Sequence, residues 1–576
     1  MVMYRLFAVI ALALCLSCSS LAFAEPPDAG QFLNQQRQPG TRLPDRLPQD
    51  MDKGIERPAL PDTGPTVLVK GFRFSGSNGL ATDAELEALL SDCIGKELSF
   101  AELHGMAKQI TAYLREQKGY LLARAYLPKQ DVTAGIIEIA IIAGRIEGKV
   151  RVKVKEPSRV RQSLLEGVAG KAIPAGSAVR MEEIERAVLL INDLPGISSH
   201  ASLERGTAPG TTRLGIDVKE GPLVSGLLSI DNYGNRYTGE MRGTGQIAAN
   251  DPFGLGDQIS LSFTGAEHMY QGTAAYFLPL GATGFTCSFS YTNLYYKLGR
   301  EFSSLNANGR ADTIATSLGY PILRTRSTSI WAGLGFEYLK FRDEANGAAT
   351  NDRNLPVGSA NIVGSFFDTL GGGGLSSAHI CLYTGDLDLS DLAAAEAADE
   401  AGPRRSGTFT RATYSLARLQ RLTRLVSLFG ALRGQLADSN LDSSQKFILG
   451  GPSGVRAYPV GEASGDEGHT LTFETRFDLP NTPSWGMIQL VGFIDTGCVE
   501  VHKKPWTASI TNATNSNNYW LSGYGCGINI GKASLYSVRA SYAHKAGHNP
   551  GRSIDGNDAD NRSDNGRFWL QATVWF

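Results

Sequence analysis

The sequence predicts a mainly β fold: a 16-stranded antiparallel transmembrane β-barrel preceded by two small α+β units of order β-α-α-β-β. Three observations carry this. The chain starts with an export signal. Two successive runs of capped helices and short strands follow. The long C-terminal part then alternates apolar and polar residues in segments of ~10. Composition agrees: 66 of 576 residues are glycine, and only 19% are charged. Excess glycine with few charges fits many strands and turns. With 55 Lys+Arg against 57 Asp+Glu the net charge is −2, which argues against nucleic acid as a partner.

Residues 1–24 read as a signal peptide. Arg5 opens it, Leu6 to Leu16 is apolar, and Ala22-Phe23-Ala24 is an A-x-A cleavage site. No later apolar run approaches the ~18–20 residues of a membrane helix. Cys15 and Cys18 lie in this leader. The other five cysteines (Cys93, Cys287, Cys381, Cys498, Cys526) are odd in number and scattered, so they do not form a disulfide scaffold.

Residues 25–65 form a polar, proline-rich linker, within which Asp28 to Gln38 has an N-cap and good helix formers. It reads as a short polar helix on a tether. The first α+β unit spans 66–144. Thr66 to Phe74 is β-rich, and Thr82-Asp83-Ala84-Glu85 and Ser99-Phe100-Ala101-Glu102 are capping boxes. Leu103, Ala107, Ile110 and Leu114 recur at helical spacing up to Gly119. Tyr120 to Leu127 and Gly135 to Ala143 read as paired strands. The second unit, 145–220, repeats the order: a strand at Lys149 to Lys155, helices at Ser158 to Glu166 and Met181 to Asn192, and strands at Ser198 to Glu204 and Thr212 to Lys219. Gly95-Lys96 and Gly170-Lys171 take similar places in the two copies.

The barrel occupies 221–576. Sixteen alternating segments are expected near 223–231, 239–249, 257–265, 270–278, 284–294, 311–319, 328–341 and 359–368, then 376–386, 407–417, 424–437, 468–479, 485–497, 519–530, 534–544 and 566–576. In the last of them, Phe568, Leu570, Ala572, Val574 and Phe576 share one face. The acidic residues near 386–400 read as a solvated loop.

No phosphate loop, H-E-x-x-H pair or G-x-S-x-G elbow is present, so the sequence supports no enzyme, cofactor or metal site. His544 and His548 straddle a strand end and do not form a metal pair. The positive signal is the glycine-rich segment 438–467 between the eleventh and twelfth strands. It starts on the outer side and is long enough to fold back into the lumen. Two strands later, Phe493 and Asp495 share a face. If that face is luminal, Asp495 needs a cation.

These motifs resemble the transporter component of two-partner secretion, the outer-membrane exporters of haemolysins and filamentous adhesins. The resemblance rests on GFRFSGSNG, KGYLLARAYLPKQDVTAGIIEIAIIAGRIEG, NDLPGI, LSIDNYGNRYTGE, QKFILGGPSGVRAYP and FIDTG. It implies a signal peptide, a plug helix, two POTRA domains and a barrel of the barrel-assembly superfamily. It implies a lumen-loop latch of Val455, Arg456, Tyr458, Phe493, Asp495 and Gly497, with Arg456 paired to Asp495. It also marks Tyr120, Pro128, Gln130 and Pro195 as candidate client-binding positions. Position 457 is Ala where the family has Gly, and its Cβ disfavours a left-handed backbone. The implied client is a large haemolysin- or adhesin-like exoprotein, recognised unfolded in the periplasm and exported without ATP, with activation on export where the client is a haemolysin. Outer-membrane lipid and the barrel-assembly machinery are the other implied partners. The alternative is a barrel-assembly or insertion factor. A solute porin and an outer-membrane hydrolase are further alternatives.

Overall fold

The computed structural model describes residues 26–38, 43–45, 66–77, 79–155, 158–208, 210–480 and 483–576. The signal peptide expected at 1–24 lies outside them. The first element, α1 (Ala29–Gln36), begins where the sequence placed its N-cap: Asp28 accepts a hydrogen bond from the Gln31 N–H.

Two small α+β units follow. In the first, β1 (Thr66–Leu68) pairs with β3 (Glu97–Ser99), while β2 (Gly71–Ser75) runs parallel to β5 (Ile136–Ile142). The single strand expected over 66–74 is thus two. The chain changes partner at Lys70, whose N–H bonds to Gly135 O at 2.7 Å. Both expected capping boxes form, opening α2 (Asp83–Leu90) and α3 (Phe100–Ala112). The strand β4 (Arg124–Tyr126) is shorter than expected. Its leading residues are committed elsewhere: Tyr120 N–H closes the end of the helix on Leu114 O, and Leu121 N–H reaches Val179 O in the second unit.

In the second unit, β6 (Arg145–Ile146) and β7 (Arg151–Val154) run parallel to β9 (Thr211–Glu220), and β8 (Ile197–Arg205) pairs antiparallel on its other side. Helices α4 (Gln162–Ala172) and α5 (Met181–Asn192) cover the sheet. The sequence started α4 at Ser158. Instead the Arg159 and Val160 N–H groups donate to the Glu220 carboxylate at 2.9 and 2.7 Å, which holds those residues out of the helix. Gly170 sits inside α4, whereas Gly95 occupies a turn at φ 84°, so the two Gly-Lys pairs are not equivalent. Each unit has its own apolar core, around Leu86, Ile110 and Ile137 in one and Leu165, Ile191 and Ile216 in the other.

The rest is one closed antiparallel barrel of sixteen strands. They are β10 (Val224–Asp231), β11 (Arg242–Asn250), β12 (Gln258–Ala266), β13 (Met269–Leu280), β14 (Phe285–Lys297), β15 (Asn308–Arg324), β16 (Thr328–Ala345) and β17 (Ala348–Asp368). Then come β18 (Gly374–Leu387), β19 (Gly407–Arg421), β20 (Val426–Ala437), β23 (Glu467–Asp478), β24 (Met487–Glu500), β25 (Asn518–Lys532), β26 (Tyr536–Lys545) and β27 (Gly566–Trp575). The short strands β21 (Phe447–Ile448) and β22 (Ser464–Gly465) pair with each other and take no part in the barrel wall. Closure is between β10 and β27. Every expected segment overlaps a strand. β17 extends far beyond its expected 359–368, because its upper part is polar and holds Pro356, which hides it from an apolar alternation. The outward face is apolar, with Leu228, Ile314, Leu334, Ile380, Ile494 and Phe568 all exposed. Such a band is what lipid requires of a barrel.

One other expectation is corrected. The acidic segment near 386–400 contains a helix, α6 (Ala393–Ala401), and Asp399 is buried, accepting from Arg405 and from the Ser406 N–H. Cys498 faces Trp520 across the β24–β25 pair, whereas Cys526 faces Gly492, and all five described cysteines are free.

The second unit is docked on the short turns at one end of the barrel. Arg324 makes a bidentate pair with Asp193 at 2.7 and 3.0 Å, and Arg186 donates to Pro321 O at 3.1 Å. Arg161 N–H bonds to Gly254 O. Arg324→Ala is expected to broaden the distance distribution between spin labels at positions 200 and 533. Heat resistance of the folded barrel on gels should not change. An unaltered distribution would show that docking does not depend on this pair.

Candidate functional site in the barrel lumen

The segment between β20 and β23 folds into the lumen. Its base is the β21–β22 pair, with Phe447 opposite Gly465. Its tip is a tight turn: Val455 N–H bonds to Leu449 O at 2.8 Å and Tyr458 N–H to Val455 O at 3.1 Å. Val455, Ala457 and Tyr458 are fully buried.

This turn aims Arg456 at β24. Its Nε and Nη2 donate to the two oxygens of Asp495 at 2.7 and 2.8 Å, and its backbone N–H adds a third bond. Nη1 donates to Glu474 on β23 at 2.8 Å. The guanidinium lies 3.5 Å from the ring centroid of Phe493, and the Arg456 carbonyl accepts from Trp569 Nε1 at 2.7 Å. Asp495 has no solvent exposure and also accepts from Thr472. Arg476 closes the cluster by donating to Glu474 at 2.9 Å. Two cations thus face two carboxylates, which is the balance a buried charge cluster needs.

Small residues make room for the tip. A Cβ at Gly497 would lie 2.4 Å from Leu449 Cδ1, one at Gly523 2.5 Å from Ala457 Cβ, and one at Gly525 2.5 Å from the Phe493 ring. Ala457 is not among the positive-φ residues, so its Cβ imposes no left-handed strain; within this loop Ala463 adopts that conformation. Behind the tip, Glu462 accepts from Asn549 and from the Ala559 N–H. Burial beside Asp558 pushes its carboxyl up to about 7.

A second cluster holds α1. Arg353 on β17 is 1% exposed and contacts Asp28, Asp343 and Asp442 at 2.8, 3.3 and 2.8 Å. Asp28 also accepts from Ser443, and Ala29 N–H donates to Asp343 at 3.0 Å. Asn34 donates to the carbonyls of Ser443 and Lys446, so the helix rests on the base of the same loop whose tip carries Arg456. Phe32 packs against Tyr296 with the rings tilted and their centroids 4.6 Å apart. Asp45 pairs with Arg539 on β26 at 2.7 Å. The lumen is occupied by a helix and a loop, both held by polar contacts that can be exchanged.

The six luminal positions marked by the resemblance come together in one cluster. The four outside the barrel do not. Tyr120 lies under the Arg180 guanidinium at the junction of the two units. Gln130 uses its amide on the backbone of Glu138, beside Pro128. Pro195 precedes Gly196, which abuts Asn250 of the barrel. Sequence reading missed Glu474, Arg476 and Trp569. Alternation in their strands puts them on the inward face with Thr472 and Arg567, so the signal was there. The spacing of Gly523 and Gly525 was a further signal. The Asp28–Arg353 contact had none, because its partners lie 325 residues apart.

A Cβ at Gly30 would lie 2.5 Å from Ser443 Oγ and 2.6 Å from Arg353 Nη2. Gly30→Val is therefore expected to loosen α1 and raise the frequency of open events in planar bilayer recordings. Wild-type conductance in that variant would contradict the tight seat.

Comparison with known proteins gives concordant results. Residues 210–530 match the profile described as haemolysin secretion/activation protein ShlB/FhaC/HecB, and 67–144 match the POTRA domain, ShlB-type. The heme/hemopexin transporter protein HuxB of Haemophilus influenzae is 27% identical over 85% of this chain and 84% of its own length. The outer membrane transporter CdiB of Dickeya dadantii is 24% identical over 79% of this chain and 81% of its own. The solved structure of CdiB from Escherichia coli superposes with a TM-score of 0.70 at 19% identity, covering 95% of this chain and 96% of that one.

Proposed function

The chain belongs to the haemolysin secretion/activation protein ShlB/FhaC/HecB family, and from that premise we propose how it moves its client. It is an outer-membrane transporter of two-partner secretion, with POTRA domains in the periplasm. The client is a large secreted exoprotein. Relatives are named for heme/hemopexin and for hemolysin transport, and the same kind of client suits this chain.

The observation that carries the reading is the occupied lumen, with Arg456 seated on Asp495 and Glu474 and α1 seated on Arg353. A solute porin needs no such removable occupants. Export requires α1, the loop, or both to move, and the exchangeable polar contacts allow it. The unfolded client first adds to a sheet edge, where its backbone hydrogen bonds are satisfied without sequence demands. The outer edge of β8 suits this: among the described residues it pairs only with β9. Tyr120, Pro128, Gln130 and Pro195 then act by shaping the units rather than by touching the client. Folding of the client outside prevents its return, so no nucleotide is used. No catalytic step, cofactor, metal or nucleic acid enters this reading. The bordering domains run 66–144, 145–220 and 221–576 after a leader of 1–24 and a plug-and-linker segment of 25–65. The barrel-assembly machinery inserts the chain, and lipid surrounds its apolar band.

Deletion of the chain, with mass spectrometry of the culture medium and of the outer membrane, tests this. Loss of one large exoprotein with other barrels unchanged is expected. A general fall in outer-membrane barrels would instead make it an assembly factor.

A further inference from the structure

Strands β14 to β17 carry a graded outer surface toward their extracellular ends. Ile314, Leu334 and Phe336 belong to the exposed apolar band, and Tyr291 and Tyr338 rim it. Aromatic rims of this kind mark the membrane interface of a barrel. Both hydroxyls engage the next row: Tyr291 donates to Asp312 at 2.6 Å and Tyr338 to Asn354 at 3.1 Å. That row holds Asn293, Asp312, Lys340 and Asn354 in register. The row beyond it holds Tyr295, Arg310, Arg342 and Asp352. Tyr295 stacks on Tyr270 at 5.2 Å and flanks the cations.

Arg310 and Arg342 are direct cross-strand partners. Like charges directly opposite each other destabilise a sheet unless an anion lies between them. The neighbouring carboxylates engage these cations only in part, through Arg310 Nε and through Arg342 Nε and Nη1. Asp312 is taken by Tyr291 and Asn293, and its approach to Arg310 is 3.5 Å. Glu344 and Asp352 lie on the far side, 3.0 and 3.6 Å from Arg342. Among the described residues the Arg310 side chain, 64% exposed, has no hydrogen bond. Lys340 adds a third exposed cation, with Asp391 only at 3.8 Å.

We propose that this face binds a phosphorylated glycolipid of the outer leaflet, an inference that rests on the outer-membrane location. The phosphate sits between Arg310 and Arg342 beside Lys340, where guanidinium donors can grip it in bidentate fashion. The acyl chains descend over Ile314, Leu334 and Phe336. The order of the rows (apolar, tyrosine, polar, cationic) matches the order of chemistry along such a lipid.

The test uses the full chain purified in detergent, with bis-phosphorylated lipid A added and bound lipid read by native mass spectrometry. Wild type is expected to retain the lipid. The R310Q/R342Q double variant should lose about tenfold in affinity, while Lys532→Gln at the opposite end should lose none. Lipid A stripped of phosphate should bind wild type as weakly as intact lipid A binds the double variant. Heat resistance on gels establishes that the variants are folded. Equal retention by the double variant, or by dephosphorylated lipid, would overturn the proposal. Full competition by equimolar inorganic phosphate would also overturn it, by showing a free-anion site. None of these outcomes bears on the exoprotein, so the export reading stands or falls separately.

Discussion

A buried guanidinium with two carboxylates organises this molecule. Arg456 uses its side chain and its own N–H on Asp495 and adds Glu474. The geometry is strict because Asp495 is wholly buried: removing the cation leaves an uncompensated charge, a loss of about 3–5 kcal/mol. The pair's own formation is offset by desolvation, so its value lies in register. It fixes where the loop tip sits against β23 and β24. Gly497, Gly523 and Gly525 make sense as the space that seat requires.

The same loop has a second duty at its base. Ser443 and Lys446 hold α1 through Asp28 and Asn34, and Asp442 helps to neutralise Arg353. Tip and base therefore join the barrel wall to the plug through one short piece of chain. A shift of the loop disturbs both charge clusters together. In the proposed export mechanism, that coupling links client arrival to pore opening. Docking of the second periplasmic unit, through Asp193 and Arg324, keeps the free edge of β8 in a defined place relative to the pore.

Much of this was legible in the sequence because a barrel writes its fold in a period of two. Strands such as β12 and β27 alternate cleanly, and all sixteen were found. The upper half of β17 was not, since above the membrane no apolar face is demanded. Helix starts were readable where a capping box sets them, as at Thr82 and Ser99. The start of α4 was not, because a distant carboxylate, Glu220, decides it. The lumen cluster was partly legible: the FIDTG strand announced an inward acid, whereas Glu474 and Arg476 were missed although alternation along the neighbouring strand puts them on the inward face. Arg353 carried no local sign of Asp28 or Asp442, which reach it from the plug helix and the lumen loop; only Asp343, on the neighbouring strand of the same hairpin, is close in sequence.

The most direct measurement is secretion of the client by Arg456→Ala at a barrel level matched to wild type, with heat resistance on gels to establish folding. The account predicts an assembled barrel and a strong fall in exported client. Normal export from equal amounts of folded Arg456→Ala would remove the Arg456–Asp495 contact from the transport mechanism.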